Sequence, residues 1–211
     1  MDIHQATGHT LERICSDPEL EAAWLATVAR LEYMGARKIF RTVAARYPSP
    51  DVLEHLAHEV GHAHIFSALA AERGATSALD ETSGVVWFQA VDQAVERTVD
   101  TCTLPADQKL TLKYLGTTAL IERRAMSVYP LFRARTQDAG VRDALDRVIR
   151  EEAAHRRPIE QEAMRRWTDA GLSFEALFAL EERAFAQWLA ALMAASAPRI
   201  PCAETATAPS A

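Results

Sequence analysis

The sequence predicts an all-helical bundle, on three observations. Glycine is scarce, 8 in 211 residues, and Ala, Leu, Glu and Arg dominate over β-branched residues, the composition of helices rather than of pleated sheet. Breaking residues are sparse and clustered, which leaves long uninterrupted stretches between them. With 49% hydrophobic and 25% charged residues, those stretches carry enough apolar surface to close one core of ordinary size.

The elements follow from the punctuation. Pro18 suits the first turn of a helix capped by Asp17, and that helix is expected to run to about Arg46, where Tyr47-Pro48-Ser49-Pro50 stops it. A second helix, capped near Ser49 or Asp51, should end at Arg73-Gly74, since glycine takes the left-handed closing conformation. The polar stretch from Ala75 to Gly84 leads to a third helix over Val85–Thr103, and Leu104-Pro105-Ala106-Asp107 to a fourth over Asp107–Gln137, with a kink expected at Pro130. Asp138-Ala139-Gly140 turns the chain into a fifth helix ending near Ala170-Gly171, and Ser173 caps a sixth that reaches about Ala195. Residues 1–196 are thus expected to form one domain, and residues 197–211, rich in Pro, Ala, Thr and Ser, a flexible tail.

Composition also narrows the function. No run of about eighteen apolar residues is present, and Met1 to Arg13 has neither the basic start nor the apolar stretch of a secretory signal, so a cytoplasmic protein without a membrane partner is expected. Cys15, Cys102 and Cys202 form no C-x-x-C pair, which speaks against a disulfide framework or a thiolate metal site. The net charge of −6 opposes non-specific nucleic-acid binding. It leaves a specific RNA partner open, because arginine pairs recur at Arg123-Arg124, Arg156-Arg157 and Arg165-Arg166; a solvated helix face explains the same pairs.

The chemistry-bearing residues recur as two copies of one pattern. Glu59-Val-Gly-His62 and Glu152-Ala-Ala-His155 each put a carboxylate and an imidazole almost one turn apart, on one helix face where a single ion can take both. Each has a lone glutamate upstream at a similar interval, Glu32 lying 27 residues before Glu59 and Glu122 lying 30 before Glu152. In an antiparallel pair Glu122 stands about 22 Å before its turn and Glu152 about 18 Å after it, so the two come level. Glu32 and Glu122 sit in apolar company, Val28-Ala29-Arg30-Leu31 and Leu115-Gly116-Thr117-Thr118-Ala119-Leu120-Ile121, where an unpaired carboxylate is costly. Surface salt bridges with Arg30, Arg37, Arg123 or Arg156 explain any single glutamate, but not six residues in this order.

The order Glu32, Glu59-x-x-His62, Glu122, Glu152-x-x-His155 resembles the ferritin-like di-iron carboxylate superfamily over roughly residues 18–170. The resemblance implies a ferritin-like four-helix bundle with an added helix in its long crossover and another at the C-terminus. It implies Glu59 and Glu152 as bridging ligands to two iron ions, Glu32 and Glu122 as terminal ligands, and His62 and His155 on one iron each. It further implies O₂ as co-substrate, an external reductant or electron-donor protein, and oxidation of an organic substrate.

The family does not choose the reaction. The 60 residues from His62 to Glu122 hold a whole extra helix where a ferritin has an extended strap, and no rubredoxin-like cysteine module follows, so an oxygenase or oxidase is expected. Its substrate is a small metabolite or a tRNA base, for Ile121-Glu122-Arg123-Arg124-Ala125 and Glu151-Glu152-x-x-His155 bear a faint likeness to the tRNA hydroxylases. A ferroxidase or iron-handling or peroxide-reducing protein is the alternative, and a homodimer is left open. Gly35, Thr118, Ala119 and Tyr129 are candidates to line the substrate pocket, whereas Tyr33 points away from the ligand face. A competing motif, His58-Glu59-Val60-Gly61-His62, fits the zinc metalloproteases, but leaves Glu32, Glu122 and the second Glu-x-x-His unexplained. His55, His58 and His64 are therefore expected on neighbouring faces, outside the ligand set.

Overall fold

A computed structural model describes residues 2–44 and 48–197. It contains seven α-helices and, among the described residues, no strand. They are α1 (Ile3–Cys15), α2 (Pro18–Ile39), α3 (Pro50–Glu72), α4 (Ser83–Asp100), α5 (Ala106–Arg135), α6 (Ala139–Asp169) and α7 (Glu175–Ala195), with a π-helical segment over Phe40–Ala44. No helix is long and apolar enough to cross a membrane. The tail expected to be flexible lies, from residue 198 onward, outside the described residues, as does Arg46, the expected end of the first long helix.

The helices begin and end where the chain supplies partners for the free backbone groups. Asp17 accepts hydrogen bonds from Glu19 N and Leu20 N (2.9 and 3.3 Å) ahead of Pro18, and Asp138 accepts one from Val141 N (2.9 Å). Ser49 does the same for Val52 N at 3.4 Å, with Pro50 in the first turn. Gly74 (φ 74°) and Gly171 (φ 71°) close α3 and α6 in the left-handed region, where a side chain would be strained. One element was not expected: α1, whose Leu11 and Ile14 are fully packed into the core and whose Arg13 donates to Ser196 O beyond α7. Its short apolar stripe lies among polar residues, and Asp2 at its N-cap makes no side-chain capping hydrogen bond, so composition alone does not mark it.

Two antiparallel pairs hold the molecule together. α2 packs along α3, and the loop after α3 returns to the start of α2, where Leu79 N donates to Ala23 O and Thr27 Oγ1 (2.9 Å each). α5 packs along α6, pinned at one end by the Arg133–Asp146 ion pair and at the other by the Trp167 indole donating to Leu112 O (3.1 Å). α4 lies between the pairs in sequence and against α5 and α7 in space. Gly116 on α5 is required where Trp167 and Val95 cross it, since a Cβ there would collide with both side chains.

Candidate metal centre

α3 carries the observation from which the site is built. Its buried residues are His55, Glu59, His62, Phe66 and Ala70, one helix face at steps of four, three, four and four. A core-facing stripe is ordinarily apolar; here its first half is two imidazoles and a carboxylate. Glu32 on α2, Glu122 on α5 and Glu152 on α6 interrupt apolar stripes in the same way, and none of the four carboxylates is more than 8% exposed. The six residues singled out by spacing all face the interior between the two helix pairs, with His155 half-buried at the edge.

The side chains gather in two adjoining groups. Glu32, Glu59, His62 and Glu152 each bring a ligand atom within 4.8 Å of the others, and His55, Glu122 and His155 do the same. Glu59 links the groups: its Oε1 lies 3.3 Å from His55 Nε2, which is also 3.2 Å from Glu122 Oε1. His62 Nδ1 stands 3.0 Å from Glu152 Oε1 and 3.8 Å from Glu32 Oε2. His55 thus sits inside the set that the sequence reading confined to six residues. The signal that finds it is the stripe itself, since His55 precedes Glu59 by four and shares its face, whereas His58 does not.

The outward nitrogens of the two motif histidines are held alike. His62 Nε2 lies 2.8 Å from Glu151 Oε2, the residue before Glu152 on the opposite motif. His155 Nε2 lies 2.9 Å from His58 Nδ1, the residue before Glu59 on the opposite motif. Each imidazole is therefore oriented through Nε2 and turns Nδ1 inward, the arrangement by which a carboxylate or other acceptor fixes a metal-binding histidine. His55 is the mirror case, with Nδ1 2.8 Å from the Tyr114 hydroxyl and Nε2 inward. His58 belongs to neither group and is spent on His155; with His62 facing Glu32 and Glu152, the His58-Glu-x-x-His62 run does not present the paired histidines a zinc protease needs. His64 is exposed.

Electrostatics marks the interior as short of cations. Burial, helped by repulsion from neighbouring carboxylates, pushes the Glu59, Glu122 and Glu152 carboxyls above their ordinary range, against the pull of His55 and His62. Burial disfavours charge on His62 and His55, yet the carboxylates around them win and raise the imidazoles to about 11 and about 12. Burial and the charges of the other three histidines lower His155 to about 4, which leaves it neutral. Tyr129 donates to Glu32 and is pushed well up by burial and that carboxylate.

Nine buried side-chain polar atoms among the described residues lack a partner in hydrogen-bonding geometry, and five belong to this centre: His155 Nδ1, Glu122 Oε2 and Glu152 Oε2, together with His62 Nδ1 and Glu122 Oε1, which have only a charged neighbour at 3.0 and 3.2 Å. Unpaired buried groups cost free energy, about 1–3 kcal/mol each, so their concentration at inward-facing donors fits a set that closes around positive ions. Four carboxylates balance two divalent cations in charge, and the oxygen-rich, imidazole-bearing set suits iron.

An apolar cavity opens on the carboxylate side, with Glu32, Glu59, Glu122 and Glu152 in its wall, while His55, His58 and His155 face a separate, wider depression whose wall mixes ionic and apolar side chains. Gly35 and Tyr129 line the apolar cavity, and Gly35 with Thr118 lines a smaller one beside Glu59 and Glu122. Gly35 is needed for the ligand rather than for open space, because a Cβ there would strike the Glu59 carboxylate. Ala119 is packed into the hydrophobic core and lines neither cavity. Tyr33 is 55% exposed, on the outer face of α2. The arginines expected to mark an RNA face are mostly engaged: Arg124 with Glu181, Arg156 with Glu160, and Arg165 and Arg166 with Glu162.

No family model, curated protein or solved structure matches the chain.

Proposed function

We propose that the chain is a ferritin-like di-iron protein that uses O₂ to oxidise a small organic molecule. The observation that carries the reading is the ring of buried carboxylates and imidazoles drawn from four helices, linked by Glu59 into two adjoining groups, with unpaired ligand atoms on three of those helices. Glu32 and His62 would hold one iron, Glu122 and His155 the other with His55 as a further nitrogen ligand, and Glu59 and Glu152 would bridge. Two bound ferrous ions supply the electrons and the open positions for reducing O₂.

What the chain itself adds is orientation and exclusion of water. Glu151 and His58 fix the histidine rings, and Tyr129 holds the Glu32 carboxylate with a hydroxyl that stays protonated. The apolar walls beside the carboxylates keep the site dry where an organic molecule would sit. That cavity favours oxidation of an organic molecule over iron storage, and the engaged arginines favour a small molecule over tRNA.

The test is to load the protein with Fe²⁺ under anaerobic conditions, add a reductant and an extract of small molecules, and admit ¹⁸O₂. Label appearing in an organic product supports the reading. Oxygen uptake that yields only ferric product points to a ferroxidase, and no uptake at two irons per chain overturns the oxidative role.

A further inference from the structure

The apolar cavity has one cation in its lining, Arg124, and the chain has already spent it. Glu181, reaching in from α7, takes both Arg124 Nε (2.9 Å) and Nη2 (2.7 Å), and accepts from the Trp87 indole at 3.1 Å. The pair is buried, with side-chain exposures of 15% and 9%, and the guanidinium lies 4.0 Å from the centre of the Phe185 ring. The remaining walls are hydrocarbon and indole, chiefly Trp24, Leu31, Ile121, Val128 and Trp188, together with the four carboxylates.

We propose that Glu181 is a specificity residue: by occupying Arg124 it restricts the cavity to uncharged, mainly apolar molecules and turns carboxylates away. The deduction rests on the oxidative reading of the site only for calling the bound molecule a substrate. An anion entering this cavity would lose water, meet acidic groups in its wall and find its one candidate partner bound in a fork to another carboxylate. A neutral molecule loses nothing comparable. The free volume is about 60 Å³, well under the about 150 Å³ that holds a benzene ring in an apolar protein cavity. A short chain of a few heavy atoms suits it better than a ring or a long chain.

Three of the chain's four tryptophans line the cavity, which supplies a readout independent of iron and O₂. The protein as isolated is titrated with 1-propanol and with propanoate while tryptophan emission is followed, then the same is done with Glu181→Gln. The wild type is expected to bind the alcohol and to bind propanoate at least tenfold more weakly. Glu181→Gln, which keeps the shape and frees the guanidinium charge, is expected to gain about tenfold or more in propanoate affinity, the scale of one charge-assisted hydrogen bond. A double variant, Arg124→Met with Glu181→Met, should keep the alcohol and show no gain for propanoate. Wild-type protein that binds propanoate as well as propanol, or binds neither, overturns the proposal, as does a folded Glu181→Gln variant with unchanged propanoate affinity. Should Glu181→Gln fail to fold, the wild-type comparison decides alone. Loss of the oxidative reading would leave these binding results intact, and failure of binding would leave the iron content unchanged.

Discussion

The two groups of ligands differ in what surrounds them. Glu32, Glu59, His62 and Glu152 are all buried, three carboxylates to one imidazole, and open toward hydrocarbon walls. His55, Glu122 and His155 offer two imidazoles to one carboxylate, and His155, only half-buried, faces a wider depression of mixed ionic and apolar lining. The first resembles a core that has been made anionic, and the second a site drawn inward from the surface. The difference teaches that the centre has a buried, carboxylate-rich side against hydrocarbon and a nitrogen-rich side nearer to solvent.

The largest effect should come from the residue that joins them. Replacing Glu59 with Ala removes an oxygen from both groups, and metal content after loading with Fe²⁺ should fall from about two ions per chain to fewer than one; retention of both ions would mean that the groups are independent. Next, each group can be emptied alone. Glu122→Ala or His155→Ala should leave one ion, held by the buried group, and Glu32→Ala should leave one on the histidine side, both read by metal analysis. Loss of both ions in all three variants would dissolve the distinction between the sides.

Smaller effects follow from the outer partners. Glu151→Ala releases His62 and His58→Ala releases His155, and each should weaken metal binding by about 10- to 100-fold. The carboxylate partner polarises its imidazole more strongly than a second imidazole does, so Glu151→Ala should be the more damaging, as judged by competition with a chelator. The pH dependence is gentler and common to both sides. His55 and His62 are held up to about 12 and about 11 without metal, and Glu59, Glu122 and Glu152 are also raised. At neutral pH the two imidazoles, and in part Glu59 and Glu122, pushed up to about 8 and about 7, carry protons that an ion must displace. Metal affinity should therefore climb as pH rises, with protons released on binding, which isothermal titration in buffers of different ionisation enthalpy measures. In the metal-free protein the sign reverses: stability from the two histidines is full below about pH 6.5 and is lost as pH rises toward 11 to 12. Affinity that falls with pH would contradict the first statement, and a metal-free protein that gains stability between neutral pH and pH 11 the second.

Much of this was legible in the sequence because helices make spacing geometric. Pro18, Pro50, Gly74 and Gly171 punctuate the chain where the helices start and stop, and the repeated interval from Glu32 to Glu59 and from Glu122 to Glu152 translated directly into residues level on paired helices. Less legible was whatever depends on contacts between distant segments. α1 has Asp2 at its N-cap without a capping hydrogen bond and is held by packing Leu11 and Ile14 against the rest. His55 was set aside because motif matching stopped at Glu59, although the four-residue step back along the same face pointed to it. Arg124 read as one of several cationic pairs, and only the fold places Glu181, 57 residues away, against it. Ala119 was close enough to Glu122 to suggest open space, but small residues on such a face also serve close packing, as they do here.

The central claim is that four helices converge on a pair of ions, and anomalous diffraction from Fe²⁺-loaded crystals grown without oxygen tests it most directly. The account predicts two iron peaks in each chain, about 3.5–4 Å apart, flanked by Glu59 and Glu152, with His62 next to one and His155 and His55 next to the other. A single peak, or iron bound away from Glu32, His55, Glu59, His62, Glu122, Glu152 and His155, would contradict it.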